Sequence, residues 1–131
     1  MKTVWTNGCF DLLHAGHVKL LQFAKSLGDK LIVGINSDEM VRHMKGPTRP
    51  VYKIEDRILL ISSMAVVDDV VVFSSQSELD SIIFSIKPDI IVVGDDYKGR
   101  EVIGADHVDN VVYFERIADV STTETISKIK I

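Results

Sequence analysis

Most of the information about the fold lies in the stretch NGCFDLLHAGHVKLLQFAK, which runs from Asn7 to Lys25. It joins an apolar, strand-like run to a segment of helical periodicity whose apolar stripe consists of Val18, Leu20, Leu21, Ala24 and Leu27, with Gly28 as a stop signal. A helix start needs a capping side chain, which Asp11 alone could supply. The two histidines around Ala15 and Gly16, His14 and His17, therefore predict a function in addition to a fold.

Apolar runs and helical segments alternate along the rest of the chain. Strands are predicted at Val4 to Phe10, Leu31 to Ile35, Val70 to Phe73, Ile90 to Val93 and Val111 to Phe114. Several of these runs are continuous in Val and Ile, which is typical of parallel strands that are covered on both faces. Helices are predicted at Ile54 to Met64, at Leu79 to Ile86 and from Ser121, which has Glu124 at capping-box spacing. The pattern predicts an α/β, Rossmann-like three-layer fold with a central parallel sheet of about five strands.

Length and composition set further limits. The 131 residues match the usual size of one domain, so residues 1–131 are expected to form a single domain without a partner domain. The formal net charge of -4 argues against nucleic acid as a partner but allows a small phosphorylated ligand. No signal-like N-terminus and no apolar run of roughly 20 residues is present, so no membrane partner and a cytoplasmic location are expected. The single cysteine, Cys9, excludes an intrachain disulfide.

The quoted stretch has the residue types of an anion site. If the first strand is central, Asn7 to His17 lies where the strand order reverses, which is where α/β folds bind ligands. Gly8 permits close approach of the backbone, and Gly16 lies at a helix start, where free N–H groups favour an anion. Two histidines there can donate hydrogen bonds to phosphate oxygens without a permanent charge. No further His or Cys cluster supplies a ligand set, so no metal ligands are assigned.

The stretch resembles the H-x-G-H signature of the cytidylyltransferase-like nucleotidyltransferases, and the similarity covers nearly the whole chain. The other motifs of the family follow in order: INSDE (Ile35 to Glu39), MKGPTRPV (Met44 to Val51), EDRILLI (Glu55 to Ile61), VVGDD (Val92 to Asp96) and RIADVSTTETI (Arg116 to Ile126). The resemblance implies that a substrate phosphate attacks the α-phosphorus of a nucleoside triphosphate and releases pyrophosphate. Such a reaction depends on positioning and charge neutralisation.

The resemblance also implies roles for individual residues. The catalytic candidates are His14, His17, Lys45 and Arg116, with Lys45 carried by a flexible loop. The nucleotide-binding candidates are Gly8, Cys9, Phe10, Asp11, Gly16, Asp95, Asp96, Ser121 and Thr122, although Cys9 also fits a packing role. Asp11 is expected to bond either a histidine or loop N–H groups. Arg57 is a candidate substrate contact, with a helix-surface ion pair to Glu55 or another acid as the alternative; Arg49 is a weaker candidate.

Two donor nucleotides are compatible with the motifs. VGDDY (Val93 to Tyr97) and Arg116 resemble the small bacterial glycerol-3-phosphate cytidylyltransferases, so transfer of CMP from CTP to a small polyol or sugar phosphate is the leading expectation. MKGPTRPV and GDDYKGREVIGADHV resemble the adenylyltransferase domain that makes ADP-heptose from ATP and heptose 1-phosphate, which is the alternative. SSQSELD (Ser74 to Asp80) lacks the tryptophan of the glycerol-3-phosphate enzymes. Flavin-dinucleotide synthesis ranks lower, and a non-catalytic nucleotide-binding module is the rival hypothesis.

The same resemblance implies Mg²⁺ as a cofactor and a homodimer as the assembly. The segment after Val66 and the loop near Lys45 are expected to contribute to the dimer contact. Activated polyols and heptoses both feed surface polysaccharides, so the expected pathway is the synthesis of a polysaccharide precursor.

Overall fold

A five-stranded parallel sheet forms the centre of the molecule. The computed structural model describes residues 1–115. The strands are β1 (Thr3–Gly8), β2 (Lys30–Asn36), β3 (Asp69–Phe73), β4 (Ile90–Gly94) and β5 (Asn110–Phe114). They lie in the order β3-β2-β1-β4-β5, and all four neighbouring pairs are parallel. This confirms the predicted α/β fold, with β1 in the middle. The predicted extension of β1 to Phe10 is wrong, because the backbone of Phe10 turns into the left-handed region at φ +48°.

Four helices connect the strands: α1 (Ala15–Ser26), α2 (Asp38–Lys45), α3 (Ile54–Ser62) and α4 (Gln76–Ile86). Ser37 and Ser75 cap α2 and α4 by accepting backbone N–H bonds. The sequence pattern did not predict α2, which contains Lys45 as its last residue. The predicted end of α3 is two residues too late, and the predicted start of α4 is three residues too late. Among residues 1–115, no helix has the length and apolarity needed to cross a bilayer.

Side chains of β1 alternate between two apolar cores, one on each face of the sheet. Val4 packs with Leu21 and Ala24 of α1 and with Ile61 of α3. Trp5 points the other way and packs with Phe73 and with residues of α4. Val4 and Trp5 are completely buried, as expected for a central strand covered on both faces. A Cβ on Gly34 would lie 2.5 Å from the Trp5 ring, so this glycine makes room for the indole.

The sheet opens where the strand order reverses. β1 pairs with β2 over six residues but with β4 only at Val4 and Trp5. Beyond these pairs, the Thr6 hydroxyl donates to the Val92 carbonyl over 2.9 Å in place of a backbone ladder bond. A crevice at the carboxyl ends of β1 and β4 follows from this separation, as expected at a switch in strand order.

One buried carboxylate holds the loop between α2 and α3. Asp11, which follows β1, accepts hydrogen bonds from the backbone N–H groups of Val51 and Tyr52 and from Nε of Arg49, at 2.8 to 2.9 Å. This confirms the expectation that Asp11 bonds loop N–H groups. Burial of Asp11 raises the pKa of its carboxyl, but the bonds from Tyr52, Val51 and Arg49 together lower this pKa below its ordinary value.

The Asp11 carboxylate should make a pH-dependent contribution to the free energy of unfolding, which Asp11→Asn removes. Because the pKa is lowered in the folded state, the stabilisation is complete above the unfolded-state pKa of about 3.9. It is lost as the pH falls through the folded-state pKa. Removing one partner of a buried pair commonly costs about 3–5 kcal/mol. Urea unfolding should therefore show a deficit of about 3 kcal/mol for the variant at pH 7 and a smaller deficit at about pH 3. A deficit that is the same at both pH values would contradict this assignment.

Candidate functional site

Two stacked imidazoles lie at the N-terminus of α1. The ring centroids of His14 and His17 are 3.8 Å apart, with an interplanar angle of 21°. His14 is the N-cap residue: its Nδ1 accepts the Gly16 N–H over 3.1 Å. In return, Nδ1 of His17 accepts the His14 N–H over 3.3 Å. This is a capping box made of two histidines. Thus His14 caps α1, and Asp11, which could have done so, is used elsewhere.

The capping bonds also determine which ring nitrogens can donate. Each Nδ1 accepts a backbone N–H, so a neutral ring carries its proton on Nε2. Both histidines are half-buried and lie beside the helix N-terminus, where the positive end of the helix dipole favours an anion. The N–H of Gly16 is bonded to His14. The ring donors that this loop can turn towards a phosphate oxygen are therefore the Nε2–H groups.

The loop between β1 and α1 supports these rings. The buried Phe10 ring lies edge-on to His17, with centroids 5.2 Å apart. A Cβ on Gly8 would lie 3.2 Å from the same Phe10 ring, so glycine here accommodates a side chain of the loop itself. Burial raises the pKa of the Cys9 thiol, and the positive charges of Lys45, Arg57 and Arg49 partly offset this rise. Cys9 is thus a neutral thiol on which the positive charges of three basic side chains act.

Arg57 differs from its predicted environment. It is completely buried, so the predicted position on the helix surface is wrong, whereas the predicted pairing with Glu55 or another acid is met by Asp38. Nη2 donates to Asp38 over 2.6 Å, and the other nitrogens donate to backbone carbonyls of Cys9, Asn36 and Tyr52. Direct contact of Arg57 with a substrate stays a prediction. Arg49, the weaker candidate, forms an ion pair with Asp11 and is mostly buried.

The remaining candidates lie around the same edge of the sheet. Lys45 is exposed at the end of α2, and its charge acts on Cys9. Asp95 and Asp96 follow β4 in a short 3-10 turn, and a Cβ on Gly94 would lie 2.5 Å from Oδ1 of Asp96. Arg116, Ser121 and Thr122 lie outside the described residues. Within residues 1–115, no three His, Cys, Asp or Glu side chains come together in a way that could hold a metal ion.

A cavity of about 420 Å³ lies at the carboxyl ends of the strands, and none of its lining residues was among the predicted site residues. Its polar lining includes Thr6, Asn7, Asn36, Gln76, Tyr97, Arg100 and Glu101, and its apolar lining includes Met40, Phe73, Leu79 and Val93. The Asn36 amide donates to the sulfurs of Met40 and Met44, at 3.3 and 3.7 Å. One signal was available in the sequence: Asn7 and Asn36 are polar residues at the ends of two apolar strands.

Known proteins similar to this chain include bacterial bifunctional proteins. It is 49% identical over 129 residues to the bifunctional protein HldE of Campylobacter concisus, and 50% identical to those of Wolinella succinogenes and Sulfurimonas denitrificans. These alignments cover 98% of this chain but only 27% of each relative. The chain therefore spans about a quarter of the length of these curated relatives.

Solved structures share the fold. The lipopolysaccharide core biosynthesis protein of Thermoplasma volcanium has a TM-score of 0.70 and is 29% identical, over 92% of this chain and 99% of that one. A bifunctional NMN adenylyltransferase/ADP ribose pyrophosphatase of Francisella tularensis has a TM-score of 0.73 at 18% identity, over 97% of this chain and 41% of that one. At that identity, the second likeness concerns the fold alone.

The family itself is identified over most of the sequence. Residues 5–128 match the family model described as cytidylyltransferase-like, which includes most of β1, the histidine pair and every helix described above. The match agrees with the H-x-G-H stretch at the switch in strand order and with the nucleotidyltransferase fold of the solved neighbours. The chain belongs to the cytidylyltransferase-like family of nucleotidyltransferases.

Proposed function

We propose that this chain transfers AMP from ATP to a heptose 1-phosphate and releases pyrophosphate. The observation that carries the chemistry is the stacked histidine pair at the positive end of α1, in which the Nδ1 bonds leave the proton of each neutral ring on Nε2. The choice of ATP rests on the relatives, which are HldE proteins at 43–50% identity, and on the resemblance of MKGPTRPV to the ADP-heptose-forming domain. None of these relatives supports the expectation of CTP and a glycerol-phosphate acceptor.

The proposed step exchanges one phosphoanhydride linkage for another. An oxygen of the acceptor phosphate forms a bond to the α-phosphorus, the bond from that phosphorus to the bridging oxygen breaks, and pyrophosphate leaves with the bonding electrons. His14 and His17 donate hydrogen bonds to phosphate oxygens at the reacting centre. Lys45 neutralises charge that develops on the leaving group. A single preorganised donor of this kind commonly contributes about 10²–10³ in rate.

The nucleotide and the acceptor need separate subsites at the crevice. Gly8, Cys9, Phe10, Asp11 and Gly16 form or support the loop on which the triphosphate would lie, and Arg116, Ser121 and Thr122 would hold further phosphates. Asp95 and Asp96, which follow the carboxyl end of β4, would recognise the ribose or the base. The cavity beside them suits a sugar, because it combines neutral amides with an apolar wall.

Mg²⁺ is proposed to come with the triphosphate. Residues 1–115 provide no cluster of three carboxylate, imidazole or thiolate ligands, and Mg²⁺ is often held largely by substrate phosphates and water. When bound, it would neutralise phosphate charge; no protein ligand is assigned to it. The homodimer and the role in polysaccharide precursor synthesis also stay predictions. The similar Thermoplasma volcanium protein is one of lipopolysaccharide core biosynthesis, which is compatible with that role.

The donor and acceptor are tested together by pyrophosphate release in Mg²⁺. ATP and CTP should each be combined with heptose 1-phosphate and with glycerol 3-phosphate. Turnover is expected with ATP and heptose 1-phosphate alone. Turnover with CTP alone would restore the cytidylyltransferase assignment. Tight nucleotide binding without turnover in all four mixtures would favour a non-catalytic binding module.

The variant His14→Asn separates the proposed catalytic role of His14 from its role as the cap of α1. Asparagine is among the best N-cap residues, so α1 should keep its cap while the imidazole Nε2–H is lost. We expect kcat to fall about 10²–10³-fold with little change in melting temperature. His107→Asn is the matched control, because His107 bonds Asp80 outside the loop. Equal activity of wild type and His14→Asn would remove His14 from the mechanism.

The acceptor subsite can be tested at Gln76, an exposed cavity residue at the start of α4. Loss of one hydrogen bond to a sugar hydroxyl is worth about 1 kcal/mol, so Gln76→Ala should raise the KM for the sugar phosphate about fivefold. The KM for ATP should stay the same, and Ser77→Ala, on the next residue of the helix, should change neither constant. A rise confined to the KM for ATP would place the nucleotide in this cavity instead.

A further inference from the structure

Arg57 connects three separate parts of the site from a fully buried position. Its Nη1 donates to the carbonyl of Cys9 in the histidine loop (residues 9–17) and to that of Asn36 at the end of β2. Nη2 donates to the carboxylate of Asp38, the first residue of α2, and Nε donates to the carbonyl of Tyr52. No other side chain could make these bonds in the same way, because the planar guanidinium alone has five donors in a fixed fork.

The bonds of Arg57 to Asp38 and Tyr52 hold both ends of the chain segment that contains Lys45. The Lys45 segment (residues 38–52) consists of α2 and the loop that follows it. It starts at Asp38 and ends at Tyr52, and both residues are bonded to Arg57. Lys45 lies between these two fixed points. The position of its amine relative to the histidine loop therefore depends on how the two ends of the segment are held.

Asp11 supplies a second connection between the same two parts. It belongs to the histidine loop, and its carboxylate accepts bonds from Arg49, Val51 and Tyr52 of the Lys45 segment. Asp11 and Arg57 thus reach Tyr52 from opposite sides, one at its N–H and the other at its C=O. Two ion pairs, Arg49–Asp11 and Arg57–Asp38, lie at this one site. Buried ion pairs often add little net stability, so we interpret these two as groups that fix one arrangement of the two segments.

We propose that Asp11 and Arg57 are positioning residues that act through Lys45: they set its distance from the histidine loop during nucleotidyl transfer. This inference rests on the proposed function. Asp11 accepts four hydrogen bonds and Arg57 donates four, all with protein groups, and these bonds by themselves can hold the Lys45 segment against the histidine loop. Displacement of a positioned group by about 1 Å can cost about 10²-fold in rate, so a loosened segment should affect turnover strongly.

The test is a double-mutant cycle of Asp11→Asn and Lys45→Ala with ATP and the acceptor found for the wild type. In the wild-type background, Asp11→Asn should lower kcat about 10²-fold and change the KM for ATP by less than about threefold. In the Lys45→Ala background, the same change should lower kcat by less than about threefold, because the group being positioned is already absent. Equal effects in both backgrounds would overturn the proposal.

Asp68→Asn is the matched control for the loss of a carboxylate. Asp68 also accepts a backbone N–H, from Leu31, and a bond from a cation, Lys25, but it lies at the amino end of β2. This variant should lose stability and keep the wild-type kcat. A kcat loss in Asp68→Asn comparable to that in Asp11→Asn would mean that general destabilisation explains both, which would overturn the proposal.

Hydrogen exchange provides a readout that does not need turnover. The amides of Val51 and Tyr52 should exchange at least about tenfold faster in Asp11→Asn and in Arg57→Lys than in wild type, and not in Asp68→Asn. Unchanged exchange rates would overturn the proposal.

If Asp11→Asn does not fold, Arg49→Gln removes one donor to the same carboxylate and takes the place of Asp11→Asn in the double-mutant cycle. Absence of wild-type turnover with every donor and acceptor would reject the proposed function; the exchange rates of Val51 and Tyr52 would then still test whether Asp11 and Arg57 hold the Lys45 segment.

Discussion

The short pairing of β1 with β4 governs the arrangement of the whole site. The two strands share only the pairs Val4–Ile90 and Trp5–Ile91, after which they separate. A parallel sheet that reverses its strand order must open in this way, because the connections leave on opposite faces. The end of β1, the end of β2 and the turn after β4 line one cavity at this opening. Burial of Val4 and Trp5 on both faces keeps β1 fixed beneath it.

The charged side chains at this opening fall into two groups, those paired within the protein and those proposed to contact a ligand. The buried or mostly buried ions, Asp11 with Arg49 and Arg57 with Asp38, are neutralised within the protein and connect segments. The groups proposed to contact the ligand are different: two histidines that can donate while neutral, and an exposed lysine. A permanently charged group left unpaired and buried in the same place would carry a large desolvation penalty. Imidazoles that can donate while neutral would, as proposed, bind an anion at a helix N-terminus without that penalty.

The capping box gives His14 and His17 a structural role beside the role proposed for them in phosphate binding. Nδ1 of His14 accepts the N–H of Gly16, and Nδ1 of His17 accepts the N–H of the N-cap residue, so a neutral ring carries its proton on Nε2. The edge of Phe10 supports the ring of His17. Both imidazoles are therefore held in place by bonds to the backbone. Donors fixed in this way meet the condition for the preorganised stabilisation of a transition state that we propose.

The alternation of strands and helices and the place of the histidines could be predicted from the sequence, because they depend on local periodicity and on residues adjacent in the chain. The partners of Asp11 and Arg57, by contrast, follow only from the three-dimensional fold, since Asp11 meets Arg49 across 38 positions and Arg57 meets Cys9 across 48. The same holds for the helical state of α2 and for the cavity that Asn7, Asn36 and Gln76 line together. Contacts between residues so far apart leave no periodic signal, because they arise only when the sheet brings the ends of its strands to one edge.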